Sequence, residues 1–306
     1  MTTTDTQPQA AWPQGRVGYV GLLGRPNAGK STLLNTILGQ HLAAVSAQPQ
    51  TTRRRFLGVY SAPGLQALFL DAPGVHRPAH ELGQCMESAI DRVLAESDLI
   101  LCLADPTRPP GAEDLLVAER AARAACPVFL VLNKVDRAGA ADQARQEAFY
   151  RERLPQAPVF RLCALDRPSL EPLLAALREA LPAGPFLHDP EAVTDAYTRD
   201  IGAELIREAC LEQLRQEVPH AIAVTVDEWL DSGSPVRVQA TLHVERDSQK
   251  RIVVGRGGAM IKAIRTAAEQ KLAGLCDGPA ALRLWVKVSP DWRQRRSLLR
   301  DFRLAE

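Results

Sequence analysis

The chain has 306 residues, 46% of them hydrophobic and 24% charged, with a formal net charge of +1. That length suggests about two domains and is ample for a buried core. No run approaches the roughly 18 apolar residues of a membrane span, and the polar stretch Met1 to Gln14 lacks the basic-then-apolar order of a secretory signal.

Residues 1–15 are expected to form a disordered tail. Val17–Leu23 is a short apolar run that ends at a glycine loop, and Ser31–Leu38 continues with helical spacing. Arg55–Tyr60 and Gln66–Leu70 read as strands around the turn Ala62-Pro63-Gly64, and Cys85–Glu96 reads as a helix. Leu99–Ala104 and Val128–Leu132 are continuous apolar runs of strand length, as in strands buried on both faces. Glu113–Ala125 is a helix between them, Val159–Cys163 a last strand and Ser169–Ala180 a last helix. This alternation predicts an α/β domain over residues 16–181, a doubly wound, mostly parallel sheet of the P-loop type.

Leu181-Pro182-Ala183-Gly184-Pro185 breaks the pattern, so residues 182–194 are read as a linker. Beyond it come a helix over Asp195–Gln216 and two strands, Ala221–Trp229 and Val236–Glu245. A glycine loop, a helix over Ala259–Leu272, a strand over Ala281–Val288 and a basic tail helix follow. Residues 195–306 thus form a smaller α+β module. Charge is unevenly spread there: residues 191–245 balance at −7 and residues 246–303 at +9. An acidic segment followed by a basic one suggests an oriented electrostatic surface. The six cysteines are scattered with no CxxC pair, which fits reduced structural thiols and argues against a zinc site.

Residues 1–190 contain only two lysines, Lys30 and Lys134, and both lie in nucleotide-binding motifs. A slim ammonium cannot be exchanged freely for a planar guanidinium, so these positions demand the ammonium itself. Gly24-Arg25-Pro26-Asn27-Ala28-Gly29-Lys30-Ser31, followed by Thr32, matches G-x-x-x-x-G-K-S/T between a strand and a helix. Its backbone amides and the helix N-terminus would hold phosphates. Lys30 would bridge the β- and γ-phosphates, and Ser31 would ligate magnesium. Asn133-Lys134-Val135-Asp136 selects guanine: the Asp136 carboxylate can accept from N1–H and the 2-amino group, a pair adenine lacks. Asn133 would tie this loop to the phosphate loop, with the Lys134 stem on the base face. Cys163-Ala164 follows the last strand, where the Ala164 amide could donate to guanine O6.

Asp71-Ala72-Pro73-Gly74 ends a strand. Asp71 would reach magnesium through water, and the Gly74 amide could face the γ-phosphate. Upstream, Gln50-Thr51-Thr52-Arg53-Arg54-Arg55 offers a second metal hydroxyl from Thr52 or Thr51; alone, the arginine run reads as a solvated face. Val75 stands where many GTPases carry a water-orienting glutamine, so slow intrinsic hydrolysis is expected. Asn27 either holds a monovalent cation, potassium, against the phosphates or only stabilises the loop.

In the second module Ile252-Val253-Val254 leads into the G-x-x-G loop Gly255-Arg256-Gly257-Gly258, with Lys250, Arg251, Lys262 and Arg265 nearby. Such a loop brings backbone close to a single-stranded RNA, and its groove reads about four bases. The whole set of motifs, with Leu284-Trp285-Val286-Lys287-Val288 and Trp292 beyond it, resembles the Era family of bacterial ribosome-assembly GTPases over residues 16–303. The resemblance implies a type II KH domain that binds near the 3′ end of 16S ribosomal RNA while the 30S small subunit matures. It also implies a mainly monomeric cytoplasmic protein with peripheral contact at the inner membrane. Ala72 and Cys163 depart from the family's usual threonine and serine, at contacts made mostly by backbone. A non-hydrolysing RNA scaffold is the rival reading. A tRNA-modifying or two-G-domain GTPase is disfavoured by the single phosphate-loop motif and the absence of a catalytic cysteine motif.

Overall fold

The computed structural model describes residues 12–46, 48, 51–75 and 80–305. Residues 1–11 of the expected tail, and Gln50, lie outside them. The first unit runs β1 (Gln14–Gly24), α1 (Lys30–Leu38), β2 (Phe56–Ala62), β3 (Leu65–Asp71), α2 (Glu81–Glu96), β4 (Leu99–Ala104), α3 (Ala112–Ala122), β5 (Val128–Leu132), α4 (Ala140–Arg151), β6 (Val159–Arg161), α5 (Glu171–Ala180) and β7 (Ala183–Pro185). The strand order is β2-β3-β1-β4-β5-β6, parallel except for β2 against β3. Every residue of β3 and β4 is buried, because helices cover both faces. One face packs Leu33, Leu34, Leu173 and Leu177 on the sheet, the other Ile90, Val93, Val117 and Tyr150.

Two boundary expectations are corrected. Gln14 and Gly15, placed in the tail, belong to β1 and pair with Pro185 and Gly184. β7 therefore lies inside the expected linker: the proline- and glycine-rich stretch docks as a short antiparallel strand rather than running free.

The second unit is α6 (Thr198–Gln213), β8 (Ala223–Leu230), β9 (Val236–Val244), α7 (Asp247–Val254), α8 (Ala259–Leu275), β10 (Ala280–Val288) and α9 (Arg296–Asp301). Its sheet is ordered β10-β9-β8, with β10 parallel and β8 antiparallel to β9. Ile206, Cys210, Leu242, Val253, Ile264 and Leu272 fill its core.

The units meet along two seams. Trp292, fully buried, packs with Leu82 and Met86 of α2 and with Leu299 of α9, and its indole N–H donates to the Ala221 carbonyl at 2.9 Å. At the other seam Leu42 packs on Ile201 and Leu205, and His41 meets Glu208 at 2.9 Å. Gln48 donates to the Leu211 and Leu214 carbonyls at 2.6 and 3.0 Å.

Candidate functional site

The phosphate loop joins β1 to α1 at the C-terminal edge of the sheet, where open α/β folds hold ligands. Gly29 has φ 98°, and a Cβ there would stand 2.1 Å from Asn133 Nδ2. That space is used: Asn133 Nδ2 donates to the Ala28 carbonyl at 2.8 Å. The Lys30 ammonium is buried and donates to the Gly24 and Arg25 carbonyls, both at 3.2 Å. Burial lowers its pKa, opposed by Asp71 and reinforced by Arg25. Pro26 lies against Gly74, where a Cβ would stand 2.6 Å from the Pro26 nitrogen. The DxxG turn therefore touches the phosphate loop, and the Val75 amide donates to the Gly24 carbonyl at 3.1 Å. Val75 itself is buried in the core, consistent with its having no part in orienting water.

Ser31, Thr52 and Asp71 converge. Ser31 Oγ donates to Asp71 Oδ2 at 2.6 Å, Thr52 Oγ1 reaches the same oxygen at 3.2 Å, and the two hydroxyls lie 3.0 Å apart. Of the two threonines weighed for this place, Thr52 is the one whose hydroxyl meets Ser31 and Asp71. Asp71 Oδ1 is buried with no hydrogen-bond partner, and burial raises the carboxyl's pKa against the pull of Lys30, Ser31 and Thr52. Three hard oxygens beside an unsatisfied buried carboxylate oxygen suit a small divalent cation such as magnesium.

The guanine-side loop is bound to the phosphate loop. Lys134, at φ 60°, donates from Nζ to the Asn27 carbonyl at 2.7 Å and to Asp105 Oδ2 at 2.8 Å. Asn133 Oδ1 accepts from the Lys134 and Ala164 amides at 2.8 and 2.9 Å. Ala164, expected to offer its amide to guanine O6, therefore gives it to Asn133. Asp136 is exposed in a short turn, beside the Cys163 thiol. Arg25, placed with the nucleotide ligands, turns its buried side chain to Asp105 and Asp114 at 3.1 and 3.4 Å. Thr32 stands on α1 at the rim of a groove that also includes Leu165.

Two residues were missed. Asp105 follows β4 and serves Lys134, Thr107 and Arg25; an acid directly after a buried strand at the sheet's ligand edge was the available signal. Arg53, taken as part of a solvated run, is 1% exposed. Its guanidinium donates to the Ile222 and His220 carbonyls at 2.6 and 2.8 Å and lies 5.6 Å from the Trp292 ring centre. Burial, then the charge of Arg207, pushes its pKa down to about 9, which leaves it charged at neutral pH.

In the second unit Gly255, Gly257 and Gly258 have φ of 73°, 60° and 78°, in the left-handed region. No atom lies within 4 Å of a Cβ built on Gly257 or Gly258. Lys250, Arg251, Arg256, Lys262 and Arg265 are all exposed on α7, the loop and α8. The loop thus offers an open backbone flanked by cations.

The comparisons agree with this two-part design. A family described as "50S ribosome-binding GTPase" matches residues 19–134, and the KH domain family matches residues 217–293. GTPase Era of Heliobacterium modesticaldum is 38% identical over 95% of this chain and 98% of its own. That of Rippkaea orientalis is 40% identical over 95% and 93%. The chain belongs to the Era GTPase family. Era of Aquifex aeolicus, bound to GDP and aluminium fluoride as a point variant, superposes with a TM-score of 0.88 at 33% identity, over 95% of this chain and all of that one. An Era complex with MgGDPNP and nucleotides 1506–1542 of 16S ribosomal RNA gives 0.89 at 34% identity with the same coverage.

Proposed function

We propose that this Era-family chain is a GTP-hydrolysing switch whose KH module binds 16S ribosomal RNA near its 3′ end and assists maturation of the 30S subunit. The observation that carries the switch is one peptide bond: Thr52 sits in the oxygen cluster and Arg53, its neighbour, is buried against the KH unit. A change at the metal hydroxyl therefore reaches the RNA-binding module through a single residue.

In this reading Lys30 leaves its two carbonyls to meet the β- and γ-phosphates. Ser31 and Thr52 ligate magnesium directly and Asp71 through water; the ion, when bound, neutralises charge that develops on the phosphates. Gly74 presents its amide to the γ-phosphate. Asp136 pairs with guanine N1–H and the 2-amino group, Lys134 lies along the base, and Asn133 holds Ala164, next to Cys163, at its edge. Water is the nucleophile. With Val75 buried, Asn27 is assigned the role of holding potassium at the phosphates. Lys250, Arg251, Arg256, Lys262 and Arg265 take the RNA backbone along the glycine loop.

Among the described residues no helix is long and apolar enough to cross a membrane. The reading is of a mainly monomeric cytoplasmic protein that touches the inner membrane only peripherally. The test is RNA binding by the full chain with GDP and with a non-hydrolysable GTP analogue, beside single-turnover hydrolysis. Tighter RNA binding with the analogue, together with measurable turnover, supports the switch. Equal RNA affinity in both states with no turnover would leave only the scaffold reading.

A further inference from the structure

Asp105, directly after β4, is buried and divides its carboxylate between two tasks. Oδ1 stays local: it accepts from the Thr107 amide at 2.9 Å and from the Thr107 hydroxyl at 2.6 Å, which closes a tight turn. Oδ2 faces the nucleotide loops, with the Lys134 ammonium at 2.8 Å and the Arg25 guanidinium at 3.1 Å. Burial pushes the pKa of this carboxyl up, but hydrogen bonds from Lys134 and Thr107 outweigh it and hold the group below the usual carboxylate range. Asp105 is therefore an anion at neutral pH.

Both cations lead to the phosphate loop. Arg25 belongs to it, and Lys134 runs on from Asp105 to the Asn27 carbonyl, 2.7 Å from Nζ. Six described non-glycine residues have positive φ, and this hydrogen bond joins two of them, Asn27 at 61° and Lys134 at 60°. Left-handed backbone is strained in such residues and persists where the surroundings over-determine it. Asp105 supplies that constraint by fixing the end of a side chain whose stem would otherwise rotate freely. On its other side Arg25 meets Asp114 of α3 at 3.4 Å. Asp114 accepts from the Gly111 amide at 3.0 Å and from the Tyr150 hydroxyl of α4 at 3.1 Å. The grip on the phosphate loop is thus anchored in two helices. A role confined to the turn at Thr107 would need only Oδ1.

We propose that Asp105 is a positioning residue for the nucleotide: through Oδ2 it sets where Lys134 and Arg25 hold the phosphate loop, so that the base and the phosphates meet a site already in place. The proposal rests on the nucleotide-binding reading above and deepens it. A group that acts on the loop, and not on the reacting atoms, changes the binding of both nucleotides and leaves turnover of bound GTP almost untouched.

The test compares Asp105→Asn with Thr107→Val in the full chain. Asp105→Asn keeps the shape of the side chain but cannot offer an oxygen on both sides. Thr107→Val removes the hydroxyl on Oδ1 and leaves Oδ2 its cations. Asp105→Asn should weaken GDP and GTP by the same factor, about tenfold, through faster release. Its single-turnover hydrolysis at saturating GTP should stay within about twofold of the parent, as should both affinities of Thr107→Val. In a Lys134→Ala background Asp105→Asn should lose most of its effect, because the two residues act as one unit. Parent-like affinities in Asp105→Asn would overturn the proposal. So would an equal loss in Thr107→Val, an undiminished effect beside Lys134→Ala, or a loss confined to the hydrolysis rate. Should Asp105→Asn not fold, Arg25→Gln decides: weaker binding of both nucleotides supports the grip, and parent-like binding overturns it. A parent that binds neither GDP nor GTP instead removes the nucleotide reading, and the proposal with it.

Discussion

The two glycine loops of this chain are built in opposite ways. The loop at Gly24–Ser31 is mostly buried and is held from three sides: by Asn133, by Lys134 and by the DxxG turn at Gly74. The loop at Gly255–Gly258 projects into open space, and no atom lies within 4 Å of a Cβ built on Gly257 or Gly258. Glycine serves the first by leaving room for the protein's own side chains. In the second it leaves the backbone open. The first loop is arranged before its ligand arrives, as a site that stabilises developing charge must be. The second, on the proposed reading, only has to let a flexible strand approach.

Alanine should break the two loops unequally. Gly29→Ala drives a Cβ into Asn133 at a positive φ. It should cost roughly 2–4 kcal/mol of stability and at least about a hundredfold in GTP affinity. Gly257→Ala meets only the left-handed backbone penalty of about 1 kcal/mol, with GTP binding intact. Denaturant melts and nucleotide titrations check both, and equal losses would erase the contrast.

Charge should separate the loops by ligand. Replacing Arg256 and Gly257 by aspartates should abolish RNA binding in a gel-shift or anisotropy titration and leave GTP affinity unchanged, because two carboxylates would face the phosphates. A double variant that binds RNA like its parent sinks the KH assignment.

On the nucleotide side, Asp136→Asn should cost about 1.5–3 kcal/mol in GTP binding and improve xanthosine triphosphate, whose pattern at the 2-position is inverted. Parallel titrations with the two nucleotides test it, and unchanged affinities for both would remove Asp136 from the base site. The smallest effect is expected for Asn27→Ala, which should remove the advantage of potassium over sodium in hydrolysis while GDP affinity holds. Equal turnover of the parent in the two salts would dismiss the cation role outright.

What could be read in advance follows from where the information resides. β4 and β5 were legible to the residue because unbroken apolar runs of that length have few other uses. α4 passed unread: it buries only Gln146 and Tyr150 and carries no apolar stripe. β7 was hidden because a proline- and glycine-rich strand looks like a linker until its partner is known. In the site, Lys30, Ser31, Asn133 and Asp71 were legible because backbone and ligand chemistry fix their types and spacing. Arg53 and Asp105 were not. Their roles depend on groups far away in the chain, and an arginine run reads as solvated until something covers it.

The adjacency of Thr52 and Arg53 carries a thermodynamic obligation. If a nucleotide that orders Thr52 favours one placement of the KH unit through Arg53, then RNA that favours that placement must strengthen nucleotide binding by the same factor. The link has no preferred direction of travel. A closed cycle of four affinities, each ligand measured with and without the other, must therefore return a single coupling constant. Truncating Arg53 should drive that constant toward one even where each ligand alone still binds.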